Sequence, residues 1–247
     1  TSDFLLGAAV RYEDYSDFGE TVTGKLWARL DMSPTFAIRS TVSTGFRAPG
    51  VQQLFYGQRS TNLNAEGVLT DTLTARQDSA VTRAFGIESL KEEESVSGTL
   101  GIAWTPSDDF TLTVDVFRID IDDRVIFSSN IQPEDAAGCL PDNSNCPIRA
   151  ILDPIGVGQV LFLTNAIHTR TEGIDIFADY TTEAPGGTLD LTALLHWNQT
   201  EAKARHSQSS ILPPEVLFDD PQVTLIEEGQ PGSHHVLQGV YHIGDWD

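Results

Sequence analysis

Apolar residues in this chain recur at every second position. From Thr21 to Met32 one set reads Val22, Gly24, Leu26, Ala28, Leu30 and Met32, and the other Thr21, Thr23, Lys25, Trp27, Arg29 and Asp31. Successive side chains of a strand point to opposite faces, so one face is greasy and the other mostly polar. Ser95 to Trp104 repeats the pattern, with Val96, Leu100, Ile102 and Trp104 set against Ser95, Ser97, Thr99 and Gly101. Further alternating runs are Leu6–Tyr12, Phe36–Val42, Phe110–Val116, Ile174–Tyr180, Leu189–Trp197 and, more weakly, Ser233–Gly244. Together these predict about eight strands, and no segment reads as an amphipathic helix. Gly, Ser, Thr and Ala fill the second face, as suits a wet lumen or a closely packed plug. Aromatics fall near strand ends at Tyr12, Trp27, Phe46, Trp104, Phe110, Tyr180, Trp197 and Trp246, which suits a membrane-interface girdle.

The connections carry a second pattern. Ser33-Pro34, Thr105 to Asp109 and Glu183 to Gly187 are tight turns rich in Pro, Asp and Gly, whereas Arg47 to Glu94, Ser128 to Arg170 and Gln199 to Gly232 are long. In an up-and-down sheet, successive links fall at opposite ends, so the short turns share one end and the long loops the other. The Asp14 to Gly19 turn is the short exception at the long end. Short turns on one side and long loops on the other are the habit of outer-membrane barrels. The predicted class is therefore all-β: an antiparallel up-and-down transmembrane β-barrel, partial, seen as an open curved sheet with long outer loops. Both ends of the chain fall close to strands, and the chain is expected to be a piece of a larger barrel. Its outer strands would then be bare edges, and the isolated piece is expected to aggregate.

Composition narrows the partners. The net charge of -21, with Lys only at positions 25, 91 and 203, disfavours nucleic acid, whose binders need a basic face. No apolar run approaches the roughly 18–20 residues of a membrane-spanning helix, but a barrel strand needs only about 10 residues. Cys139 and Cys146 flank a Pro-, Asp- and Asn-containing stretch that favours a turn, and a disulfide between them is expected. Two free thiols in a loop are the other reading. No second Cys or His pair sits at zinc-ligand spacing.

The stretch Ser43-Thr44-Gly45-Phe46-Arg47-Ala48-Pro49-Gly50-Val51-Gln52-Gln53-Leu54-Phe55 resembles the strand-to-loop junction of TonB-dependent outer-membrane receptors. Its core, Gly45, Phe46, Arg47, Ala48, Pro49 and Leu54, follows that family's Gly-aromatic-basic-Ala-Pro pattern with a later Leu. Pro49 cannot donate to a ladder, so the strand must stop there. Leu90-Lys91-Glu92-Glu93-Glu94-Ser95 is similar to the segment by which these receptors return to the barrel, with Ile87-Glu88 and Glu92 where the family has Asn-Pro and Pro. Asp115 to Val125 is similar to its long rising strand, and Thr171-Glu172-Gly173-Ile174-Asp175-Ile176 to its Gly-apolar-acidic strand opening.

The resemblance implies a barrel of about 22 strands, closed by an N-terminal plug that a periplasmic TonB energising complex opens. It implies an outer-membrane importer of a scarce nutrient, a ferric siderophore or similar iron chelate being the leading small-molecule ligand. Outer-membrane lipid would surround it, the plug and terminal strands would lie outside this chain, and no cofactor or resident metal is called for.

Candidate chemistry outside those motifs is sparse. Arg47, Tyr56, Arg59, Arg76 and Arg83 lie in the first long loop and suit an anionic or catecholate chelate, with Arg47, Tyr56 and Arg59 as the candidate ligand contacts. Yet residues 47–94, 128–170 and 199–232 together carry 17 acidic and 9 basic residues, a balance that singles out no anion. Asp120, Asp122 and Asp123 read as a solvated rim, because a hard cation needs more oxygen ligands. Asp142-Asn143-Ser144-Asn145 lacks the spacing of a calcium loop. His234 and His235 fall on opposite faces of a strand, and His168 and Glu172 have ligand spacing only on a helix. No Gly-x-Ser-x-Gly elbow, phosphate loop, Gly-x-Gly-x-x-Gly or His-Glu-x-x-His appears, so an enzyme is not expected. A passive outer-membrane channel or surface-binding barrel is the first rival reading, and a soluble acidic β-sandwich that binds glycans the second.

Overall fold

The computed structural model describes residues 3–16, 19–63, 67–135, 139 and 146–244. Strands β1 (Asp3–Tyr15), β2 (Gly19–Ser33) and β3 (Phe36–Arg47) lead into a first outer loop holding α1 (Val51–Phe55), β4 (Gln58–Leu63), β5 (Leu69–Thr74) and α2 (Ala80–Ala84). Strands β6 (Glu93–Ser107) and β7 (Phe110–Phe127) follow. The second outer loop carries two short 3₁₀ turns, α3 (Pro147–Leu152) and β8 (Gln159–Leu161). Then come β9 (Leu163–Ala184), β10 (Gly187–Arg205), a third outer loop with α4 (Pro214–Leu217) and α5 (Asp220–Glu228), and β11 (Ser233–Ile243). Trp246, Asp142 and its neighbours to Asn145, and part of the β1–β2 link lie outside the described residues.

Among the described residues the main sheet has eight strands in the order β1-β2-β3-β6-β7-β9-β10-β11, every neighbour antiparallel, with no pairing of β1 to β11. This is the open up-and-down sheet that the alternation predicts. The inner-end links shrink to the two residues 34–35, 108–109 and 185–186. Gly186 holds φ +92, a conformation L side chains resist.

Register sorts the faces. Leu26 pairs with Val42, Leu100 with Val116, and Val114 with Ile176, which pairs in turn with Leu195. This apolar face is bare: Val22 is 63% exposed, Leu26 53% and Leu237 78%. So broad an apolar patch would be a liability in water and is the ordinary outer wall of a barrel in lipid. At the short-turn end Trp104, Phe110 and Tyr180 meet edge to face, with ring centroids 5.7 Å and 6.3 Å apart, and form the girdle there. Trp27 departs from that expectation. It lies on the inner face over Gly7, its direct partner, because only a glycine leaves room for the indole.

The inner face is a ladder of paired polar groups. Arg39, Gly101 and Asp115 are aligned across three strands. The missing side chain of Gly101 lets Arg39 Nε reach Asp115 Oδ1 at 2.9 Å. Asp175 meets His196 at 2.5 Å, and Phe117 stacks on the same His196 at 5.9 Å while lying over Gly173. Ser43 with Ser97, and Thr192 with Asp179, extend the ladder. Strands β9 and β10 run further outward than the alternation indicates. There Leu163 and Ala166 of β9 pack against the outer loops and Ile167 is buried beside them, so apolar positions no longer alternate while the hydrogen-bond ladder continues.

Candidate ligand-binding cap

Among the described residues the main buried core lies in the outer loops rather than in the membrane-crossing part of the sheet. Phe85 and Ile87 from the first loop, Ile131, Ile148, Leu152 and Phe162 from the second, and Leu212, Leu217 and Phe218 from the third form one cluster. The long connections expected as plain loops are thus a folded cap. Strand β5 pairs in parallel with β8, joining Leu73 to Val160, and β4 completes a three-stranded sheet. Ser129 N donates to Leu217 O at 2.9 Å, and Asp219 N to Ser129 Oγ at 2.9 Å, so the third loop is tied to the second. Ser209 Oγ donates to Phe85 O and ties it to the first. Cys139 and Cys146 are joined by a disulfide at the edge of this core, with Cα atoms 4.6 Å apart.

The Gly45–Leu54 segment forms the hinge between sheet and cap. Gly45 lies where a Cβ would press on Ser95 Oγ. Phe46 packs edge to face on Tyr15 at 5.8 Å. Arg47 grips Glu93 with both arms, Nε donating to Oε2 at 2.8 Å and Nη2 to Oε1. The Glu93 side chain is only 8% exposed, and its Oε1 also accepts Val125 N at 2.6 Å. Ala48 and buried Pro49 end β3. Leu54, on α1, packs against Leu90, Val125 and Leu163. Beside it Asn165 bridges Lys91 and Asp123: it accepts Lys91 N at 2.9 Å and donates to Asp123 O at 2.6 Å. Asp123, at φ +52, also holds the Lys91 ammonium at 2.6 Å and keeps it charged above the ordinary lysine range.

Of the other candidates, Arg59 donates to Asp71 at 2.7 Å and to the carbonyls of Ile155 and Gly156 at 3.0 Å and 2.6 Å, so it staples the first loop to the second. Tyr56 donates to Gln58 and borders a groove. Arg76 pairs with Asp78 and sits 5.9 Å over the Phe55 ring, and Arg83 donates to Asp78 O. Asp120 is neutralised by Arg118 and Arg170, and Asp122 meets His168. Among the described residues no group of His, Cys, Asp and Glu is arranged to hold a metal ion.

Asp71 accepts Thr61 Oγ1 at 2.6 Å as well as Arg59, and these bonds hold its carboxyl below the usual carboxylate range. A depressed folded-state value makes its contribution present above the unfolded value and lost as pH falls through the folded one. The β4–β5 hairpin is therefore expected to lose amide protection below about pH 4, before the β6 strand does. In an Asp71→Asn variant the hairpin should be weaker at neutral pH and indifferent to acid.

The groove runs between α1 and α5 along the outer ends of β7 and β9, with a volume of about 630 Å³. Ile126, Phe127, Leu225 and Ile226 make its apolar walls, and Gln52, Gln222 and Tyr56 are polar points on them. Gln222 Nε2 donates to Phe127 O at 2.9 Å, which fixes the amide. Neither Glu93, Asn165 nor the groove stands out in the sequence. The sequence does place Glu93 on the same strand face as Ser95 and Ser97, and hence on that of Arg47.

A beta-barrel family model described as TonB dependent receptor-like matches residues 1–216. The chain belongs to the TonB-dependent receptor family. Members are outer-membrane transporters rather than enzymes. Among solved structures, the siderophore receptor PirA from Pseudomonas aeruginosa aligns at 17% identity and TM-score 0.55, covering 81% of this chain and 32% of its own. The FrpB iron transporter from Neisseria meningitidis aligns at 13% identity and TM-score 0.53, covering 98% and 29%. The RagAB peptide importer aligns at 11% identity and TM-score 0.50, covering 81% and 20%. At these identities the likeness is one of fold, and this receptor chain spans about a third or less of each. No curated protein matches it.

Proposed function

We propose that this chain supplies part of the wall and the ligand-capturing cap of an active importer for a ferric siderophore or similar iron chelate. The observation that carries the reading is the convergence of three outer loops on one buried core at the outer end of the sheet. Such a cap is a preorganised surface, which a passive pore does not need. A siderophore receptor and an iron transporter among the fold's neighbours favour iron as cargo. The open edges of β1 and β11 would be paired by further strands, and a plug would link the cap to the TonB system. The cap captures the chelate, and the plug then opens at the cost of inner-membrane energy. Within the cap Tyr56 borders the groove, Arg47 holds Glu93 and through it Val125 of the groove wall, and Arg59 staples the first loop to the second.

The test is growth under iron limitation. Deleting the parent gene is expected to abolish use of one ferric chelate, and the intact gene, but not one with a disrupted cap, should restore it. Unchanged use of every ferric chelate, together with loss of another nutrient, would overturn iron as the cargo.

A further inference from the structure

We infer that the groove between α1 and α5 takes an electrically neutral chelate, of the ferric trihydroxamate kind, and not a polyanionic one. The inference rests on the importer reading and narrows it.

Charge is the first ground. Among the described residues none of the groove's lining side chains is charged. The cations of the cap are already engaged: Arg47 with Glu93, Arg59 with Asp71, Arg76 with Asp78, Lys91 with Asp123, Arg149 with Glu134 and Arg205 with Asp220. Arg83 turns to a backbone carbonyl. A polyanion would have to displace these carboxylates, which already sit at contact distance, and would meet an excess of 17 acidic over 9 basic residues in the loops. A ferric ion bound by three catecholates is a trianion. Bound by three hydroxamates it is neutral and escapes that repulsion.

The polar lining is the second ground. Gln52 and the second Nε2 hydrogen of Gln222 offer amide donors to the carbonyl and N–O oxygens of a neutral ligand, while Tyr56, whose hydroxyl hydrogen goes to Gln58, lines the site as an aromatic wall. Apolar walls with a few such points are how small-molecule sites are built. The 630 Å³ volume lies inside their usual span of roughly 300–1,000 Å³.

The experiment uses the full-length receptor in outer-membrane vesicles, titrated with a neutral ferric trihydroxamate and with a ferric tris-catecholate, read by quenching of intrinsic fluorescence. The trihydroxamate is expected to bind at least about tenfold more tightly. Leu225 is 64% exposed, so Leu225→Ala should fold normally. It should weaken the trihydroxamate about tenfold, the scale of one lost apolar side-chain contact. Leu225→Arg should weaken it too and gain affinity for the catecholate. Tighter binding of the catecholate by the unaltered receptor would overturn this inference and leave the iron-chelate reading standing. So would trihydroxamate binding indifferent to Leu225→Ala and Gln222→Ala. Binding of neither chelate would overturn both.

Discussion

Replacing Phe162 by Ala is expected to open the outer cap while the eight-stranded sheet keeps its pairing. Phe162 is fully buried, and its ring lies 5.2 Å from that of Phe85, so it joins the first loop to the second. Its backbone is also held in place, accepting Ser128 N at 2.7 Å and donating to Ser128 Oγ at 3.0 Å. The neighbours therefore cannot collapse freely into the space. Truncating a buried Phe costs about 3–5 kcal/mol, which is comparable to what a small core supplies in all. The sheet meets that core only at its outer ends, through Ile126 of β7 and Ala166 of β9. Its strands are held by ladder hydrogen bonds and by lipid on the apolar face. Hydrogen exchange on the full-length receptor separates the two. Peptides spanning 69–90, 128–162 and 206–230 should lose protection together, while those spanning 96–104, 112–118 and 189–197 keep theirs. Leu225→Ala, on the cap's exposed surface, should leave both sets alone. Loss confined to the second loop would show that the three loops do not fold as one unit.

The sheet was legible because each of its strands crosses a boundary between two media. Lipid on one side and a wet lumen on the other impose the alternation of Val22 to Met32 and of Ser95 to Trp104. The cap was not legible for the converse reason. Phe85, Ile131, Phe162 and Phe218 come from three loops distant in sequence, and none belongs to a run long enough to show a period. Their company is set by topology, which brings the three loops to the same end of the sheet. Short alternations such as Leu69-Thr70-Asp71-Thr72-Leu73 were present, and β5 is the strand that they mark. For the hinge, Pro49 marked where β3 stops, but the partner of Arg47 was hidden in the run Glu92-Glu93-Glu94. Parity resolves it. Glu93 pairs directly with Arg47 in the register, whereas Glu94 pairs with Phe46 on the other face.

That pair yields the second large expected effect. In Arg47→Ala the Glu93 carboxylate, 8% exposed, keeps its bond from Val125 N but loses its counter-charge. Breaking a buried pair from one side costs roughly 3–5 kcal/mol. Arg47 itself is 55% exposed, so water can reach the gap and the cost should fall to about 2–3 kcal/mol. Glu93→Gln leaves an amide oxygen for Val125 N and removes the charge that needed a partner. The double variant Arg47→Ala/Glu93→Gln is therefore expected to recover most of the lost stability, a coupling that a double-mutant cycle by thermal unfolding measures. The same cycle decides what Arg47 does. If it only fixes the hinge, chelate binding returns with stability in the double variant, because the wall of the groove at Val125 is again in place. If it touches the ligand, the double variant is stable and still binds weakly, since no residue has replaced the guanidinium. Stability and binding move together in the first case and part in the second, and the bidentate grip on Glu93 favours the first.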